Sequence, residues 1–198
     1  MAIVKGPLFS LGARGQIGKS MVFMSWKVIP DVRAHVVPTN PKTPLQIAQR
    51  NIMKGAVALY HTMTLTALDI SGMTRWASLQ TSVMSGFNWF CRAYVVAVRA
   101  AHTFSAVYGL ALSDLADDGV KVAATGDAGN TYKIYYSSDL QTLVAGGGSE
   151  KAVGNADGAL SVELTDLDAS TRYFAYIGAT GATTEDKSGL FDFTTLAS

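Results

Sequence analysis

Cysteine occurs once, at Cys91, in a chain of 198 residues, which excludes an internal disulfide and any zinc site built on cysteine thiolates. Charge is scarce as well: 16% of residues are Asp, Glu, Lys or Arg, against about 25% in an average globular domain. With 48% apolar residues, an open chain would leave too much apolar surface in water, so disorder is excluded. The longest apolar run is Ala93–Val98, far below the ~20 residues that span a bilayer, and no membrane association is expected. The start, Lys5 followed by a glycine-punctuated stretch, lacks the continuous apolar segment of a secretory signal, so export is not expected.

What is present divides in two. Residues 1–112 hold eleven Lys or Arg against Asp31 and Asp69, a balance of +9. Residues 113–198 hold five basic and thirteen acidic side chains, a balance of −8. All five Pro, seven Met and three Trp fall in the first part. This break predicts a basic domain over 1–103 and an acidic domain over 104–198, joined near 103–112 and separable in folding and role.

In the basic part, alternation over Met21–Val28 and Val32–Val37 predicts a β-hairpin over 20–37 turning at Pro30-Asp31, preceded by a looser strand near Ile3–Leu11. Pro38, Pro41 and Pro44 then break regular structure, and Thr43-Pro44 reads as a helix start. Leu45, Ala48, Ile52, Ala56, Leu59 and Met63 repeat every three or four residues and predict one buried stripe. A second helix is expected over Gly72–Met84 with Met73, Trp76, Leu79 and Val83 on one face. A third runs from Phe87 to about His102 with Phe90, Tyr94, Val98 and Ala101 buried. The expected domain is α+β: a β-hairpin plus three helices.

The order Arg33, Val36, Pro38, Asn40-Pro41-Lys42-Thr43-Pro44, Gln46, Gln49-Arg50, Arg75-Trp76 and Ser85-Gly86-Phe87-Asn88-Trp89-Phe90 resembles small proteins encoded in the structural gene clusters of tailed bacteriophages and prophages. The resemblance covers about residues 10–100. It implies virion structure and brings no catalytic residues.

In the acidic part, Val120–Ala124, Tyr132–Tyr136, Leu160–Leu164, Tyr173–Ile177 and Leu190–Thr194 alternate between turn clusters. Two further strands are expected near Ala106–Leu112 and Gln141–Val144, giving an all-β, Ig-like sandwich of about seven strands. Leu167-Asp168-Ala169-Ser170-Thr171-Arg172-Tyr173 resembles the fibronectin type III signature Leu-x-Pro-Gly-Thr-x-Tyr, with Ala169 and Ser170 in place of Pro and Gly. The resemblance implies that Tyr173 makes the corner into the next strand. That family's early tryptophan is missing, so Tyr132 or Tyr135 must fill its volume.

Ala13-Arg14-Gly15-Gln16-Ile17-Gly18-Lys19-Ser20 fits a loose phosphate-binding loop. Such a loop must open a helix whose amides hold the phosphates, and Met21–Val28 alternates like a strand, so a basic glycine-rich turn or arm is expected. His35, His61 and His102 stand alone, and no Gly-x-Ser-x-Gly elbow occurs. Cys91 falls on an apolar helical face and reads as a buried thiol. Asp114, Asp117 and Asp118 lack the cadence of a calcium loop and read as a solvated turn. No catalytic, cofactor-binding or metal-binding residue is expected.

Arg14, Lys19, Arg33, Arg50, Arg75, Arg92 and Arg99 are the candidate assembly residues. With the resemblances they imply a non-enzymatic virion protein, a capsid decoration or tail accessory component assembled in the host cytoplasm. Its partners would be copies of itself and other virion proteins, with the sandwich displayed. Two alternatives stand beside this. The basic charge of residues 1–103 could hold DNA, and the sandwich could serve as an adhesion or host-surface-binding module.

Overall fold

A computed structural model describes residues 3–4, 13–26, 29–37, 39–40, 42–180 and 186–197. They form two compact units, Met1–Thr43 and Pro44–Ser198.

The first unit is an antiparallel sheet of β1 (Ile3–Val4), β2 (Ala13–Ile17), β3 (Met21–Trp26) and β4 (Ile29–Ala34), in that order. Of the first expected strand, Ile3–Val4 is present, and residues 5–11 lie outside the described residues. The hairpin forms, but not with the expected turn. Trp26 pairs with Ile29 and Met24 with Asp31, so Pro30-Asp31 lies inside β4 rather than at the turn. Proline is tolerated there because β4 is an edge strand, whose outward side needs no donor. The glycine-rich stretch is a strand, not an arm. Ile17 pairs with Met21, and Gly18, with φ +56°, opens the short turn between them. Pairing and alternation put Gly15, Ile17, Met21, Phe23, Val32 and Ala34 on one face, and Gln16, Val22, Met24, Asp31 and Arg33 on the other. Phe23 is buried, while Met21 and Val32 are exposed.

The second unit opens with α1 (Pro44–Thr62), α2 (Ala67–Ser78) and α3 (Gly86–Arg99). The α1 start is where Thr43-Pro44 placed it. Its expected stripe is buried only toward the C-terminal end: Ala56 and Met63 are covered, whereas Leu45 is 83% exposed. α2 begins five residues before the expected Gly72, because Thr66 and Asp69 form a reciprocal capping box. Val83, expected on its buried face, lies beyond the helix and is fully exposed. Ser85 caps α3 by accepting the Asn88 N–H at 3.3 Å. The buried side of α3 is Trp89, Phe90, Cys91, Ala93 and Ala97, with Tyr94 and Val98 half-buried and Ala101 exposed past the helix end.

The remaining strands, β5 (Tyr108–Ser113), β6 (Val120–Thr125), β7 (Tyr132–Ser137), β8 (Ser149–Ala156), β9 (Ala159–Leu164), β10 (Arg172–Ala179) and β11 (Phe191–Thr194), form a curled antiparallel sheet. Their spatial order is β11-β10-β7-β8-β9-β6-β5. β8 passes between the layers, pairing with β7 over residues 149–153 and with β9 over 154–156. The sheet thereby folds over a core of Val120, Val122, Tyr132, Ile134, Leu160, Leu164, Ile177 and Phe191. Tyr132, not Tyr135, fills the volume inside this core. Gln141–Val144, expected as a strand, is instead part of a short helix, α4 (Leu140–Val144), started by the Asp139 carboxylate on the amides of Gln141 and Thr142. The seventh strand is β8, whose Gly, Ser and charged residues hide its alternation.

The helices pack on the outer side of the same sheet. Met73, Trp76, Trp89 and Phe90 share one cluster with Leu143, Tyr176 and Leu190. β10 is therefore covered on both faces, Tyr173, Ala175 and Ile177 inside the sandwich and Tyr176 against the helices. The compositional border at 103–112 lies inside this second unit.

Candidate functional site

The helix–sheet seam begins with Gly72 of α2. A Cβ there would stand 2.7 Å from the backbone of Gly189 and Leu190, so helix and strand lead touch main chain to main chain. One turn on, Trp76 donates from Nε1 to the Ser188 carbonyl at 3.0 Å. It stacks on Trp89 with ring centroids 6.0 Å apart and meets Tyr176 edge-on at 5.5 Å. The Lys187 ammonium lies 4.8 Å from the Trp76 ring centre, within cation–π range.

Arg75 closes the seam. Its Nη2 meets Asp192 Oδ1 at 2.6 Å, while Arg172 holds the other oxygen through Nε at 2.8 Å and Nη2 at 2.5 Å. Both guanidinium groups lie over the Phe174 ring, at 5.6 and 5.0 Å. Burial pushes the Asp192 carboxyl up, but hydrogen bonds and charge from Arg75 and Arg172 outweigh it and hold the group below its ordinary value.

A second buried anchor is Asp69, which is fully enclosed. Its Oδ2 accepts from the Thr66 N–H and the Gly109 N–H, each at 2.8 Å, and its Oδ1 accepts from the Leu110 N–H at 3.4 Å. One carboxylate thus caps α2 and fixes the start of β5, where Gly109 takes φ +71°.

The basic candidates do not converge. Arg14 lies in β2 opposite Ile3, with its side chain outside the described residues. Lys19 is exposed on the β2–β3 turn, Arg33 on edge strand β4, and Arg50 on α1. Arg75 is committed to Asp192. Arg92 donates to Gln80 and Arg99 to Gln49 at 2.6 Å, so both tie α3 to its neighbours. Asn40 and Thr43 are exposed before α1, and Pro41 lies outside the described residues. Gly86 is buried, and a Cβ there would stand 2.9 Å from the Thr74 amide nitrogen, while Asn88 is exposed.

The fibronectin-like signature is built as a corner. Leu167 and Tyr173 are buried. The Tyr173 hydroxyl donates to Asp168 Oδ2 at 3.2 Å and accepts the Asp168 N–H at 3.0 Å. Thr171 Oγ1 donates to the Ala169 carbonyl at 3.0 Å. Ser170 adopts φ +51°, a conformation that suits glycine, the residue the signature carries there.

Among the described residues, no three His, Cys, Asp or Glu side chains group to hold a metal ion, and no helix is long and apolar enough to cross a membrane. After Ser20 comes β3 rather than a helix, so the amides a phosphate-binding loop needs are paired in a sheet. Cys91 is buried and burial pushes its thiol up, which keeps it protonated at neutral pH. Asp114, Asp117 and Asp118 are exposed in the β5–β6 connection. Sequence reading missed Asp192 and the anchoring role of Asp69. The first has no local signal, and the second was legible in the Thr66-x-x-Asp69 spacing.

Large apolar side chains are exposed elsewhere. The first half of α1 presents Leu45, Ile47 and Met53 to solvent, with Arg50 and Lys54 exposed among them.

No family model and no curated protein matches this sequence. Among solved structures, the sensor domain of the anti-sigma factor RsgI4 in Pseudobacteroides cellulosolvens is 15% identical, with 48% of this chain and 98% of that one covered and a TM-score of 0.37. A fibronectin type III domain of human contactin 1 is 20% identical over 47% of this chain and 78% of that one, TM-score 0.40. One of human collagen XX is 23% identical over 46% and 93%, TM-score 0.34. Each of these likenesses, to fibronectin type III and sensor domains, covers just under half of this chain.

Proposed function

We propose that this chain is a non-enzymatic structural component of a tailed-phage virion, a capsid decoration or tail accessory protein that assembles with copies of itself and displays its sandwich. The observation that carries the assembly reading is the exposure of Leu45, Ile47 and Met53 on α1. Exposed large apolar side chains on a helix supply the kind of surface that a protein contact covers. The opposite charge of the two compositional halves favours association between copies. The motif order from Arg33 to Phe90 supplies the phage context by resemblance. Protein assembly is favoured over DNA binding because Arg75 spends its charge on Asp192 and the exposed basic residues follow no single element.

The test is to locate the chain in a cryo-EM map of the native particle, at a regular position and copy number. Its absence from purified particles, with tight salt-dependent binding to duplex DNA, would overturn the reading.

A further inference from the structure

Among the described residues, the sheet of the first unit ends in β4, with no further strand beside it. We propose that two copies of this chain join through it, β4 pairing antiparallel with β4 of the second copy about a two-fold axis at Val32. This inference rests on the self-assembly read above and names its contact.

The backbone of β4 is arranged for it. The His35 N–H donates to the Ser20 carbonyl at 2.8 Å. Amide direction alternates along an antiparallel strand, so Arg33 and Asp31 also direct their backbone groups toward β3. Val32 and Ala34 therefore turn N–H and C=O outward, together with the Pro30 carbonyl. Proline, which has no N–H, occupies an outward position where its missing donor breaks no bond within the chain.

Placing Val32 opposite its counterpart makes a pair that exchanges both hydrogen bonds. The Ala34 N–H then meets the Pro30 carbonyl of the second copy, once on each side of the axis. In the same register Asp31 stands across from Arg33 of the second copy, and Arg33 from Asp31. Opposite charges directly across strands attract.

Charged residues on an edge strand ordinarily prevent pairing. Here the two signs are placed symmetrically about Val32, so the edge repels most strands but complements its own copy. Val32 is 49% exposed and Met21 41% exposed, both on the apolar face. Pairing would make the two apolar faces one continuous surface. Self-complementarity of this kind is what an isologous two-fold contact requires.

The test uses the full chain in sedimentation equilibrium, with circular dichroism to confirm that each variant is folded. Asp31→Arg is expected to weaken the dimer about tenfold or more, because both cross-strand pairs become repulsive. The double substitution Asp31→Arg with Arg33→Asp restores complementarity and is expected to return affinity to near the starting value. Val32→Cys is expected to give a disulfide-linked dimer on mild oxidation, since the native thiol of Cys91 is buried. A monomer at all concentrations would overturn the proposal, as would a dimer that the double substitution fails to rescue. An oligomer indifferent to Asp31→Arg and uncross-linked by Val32→Cys would place the contact elsewhere and leave self-assembly standing. Absence from the particle with the β4 dimer intact would defeat the virion reading alone.

Discussion

Asp69 is fully buried, and its side-chain oxygens accept from the amides of Thr66, Gly109 and Leu110. Asp69→Ala would leave those donors buried and remove the α2 cap. Each unsatisfied donor costs about 1–3 kcal/mol and a lost cap about 1 kcal/mol, so we expect a loss of about 3 kcal/mol or more in urea unfolding. Asp192 offers a pH test. Its carboxyl lies below the ordinary 3.8 in the folded chain, so the unfolded chain binds the proton more readily. The stability it contributes is present above the unfolded value and is lost as pH falls through the folded one. Asp192→Asn is therefore expected to flatten the fall in stability below about pH 4, and an unchanged slope would deny the Arg75–Asp192–Arg172 linkage its role. Neither anchor was equally legible. Thr66 and Asp69 are three residues apart, a spacing with local meaning, whereas Arg75 and Asp192 are 117 apart and only the fold joins them.

At the scale of elements, legibility followed how locally each one is determined. Strands β6 and β9, and the first half of β7, alternate between core and outside and were readable from period two, whereas β10 is covered on both faces. β8 was not, because it switches partners midway and shows one buried side chain, Val153. Gln141–Val144 reads as a strand, but the Asp139 carboxylate caps it into a helix. The stripe of α1 shows that periodicity marks an apolar face but not what covers it. In α2, Gly72 is set by the neighbouring backbone rather than by the helix. Gly72→Ala would gain about 1 kcal/mol of helix propensity, yet its Cβ would press on Gly189 and Leu190, 2.7 Å away. Overpacking against main chain costs about 1–3 kcal/mol, so we expect net destabilisation and a lower thermal midpoint by circular dichroism. A rise in the midpoint would mean that the seam can open without penalty. In the Tyr173 corner, Tyr173→Phe removes only the bonds to Asp168 and is expected to cost about 1 kcal/mol. Tyr173→Ala also empties core volume and is expected to cost about 3 kcal/mol; equal losses would make the hydroxyl, not the ring, the anchor.

For the molecule as a whole, composition located a chemical border near 103–112, but contacts draw the compact units at Thr43 and Pro44. The difference has a physical source. Charge and residue type record what faces solvent, whereas the apolar side of the helices and the outer face of β10 are complementary and leave no compositional mark where they meet. The separability expected of residues 104–198 can therefore be measured against a longer piece. In a chain cut to residues 106–198, Leu143, Tyr176 and Leu190 would lose the cover of Met73, Trp76 and Trp89. Full burial of a large apolar side chain is worth about 1.5–3 kcal/mol, so this piece is expected to be less stable than residues 44–198 by roughly 5 kcal/mol and to bind a hydrophobic dye. Residues 44–198 keep both clusters and should unfold in one cooperative step, with fluorescence from Trp76 and Trp89 and far-ultraviolet circular dichroism changing together. If the shorter piece unfolded at the same urea concentration and bound no dye, the sandwich would be self-sufficient, and the helices would be an attached layer rather than part of its core.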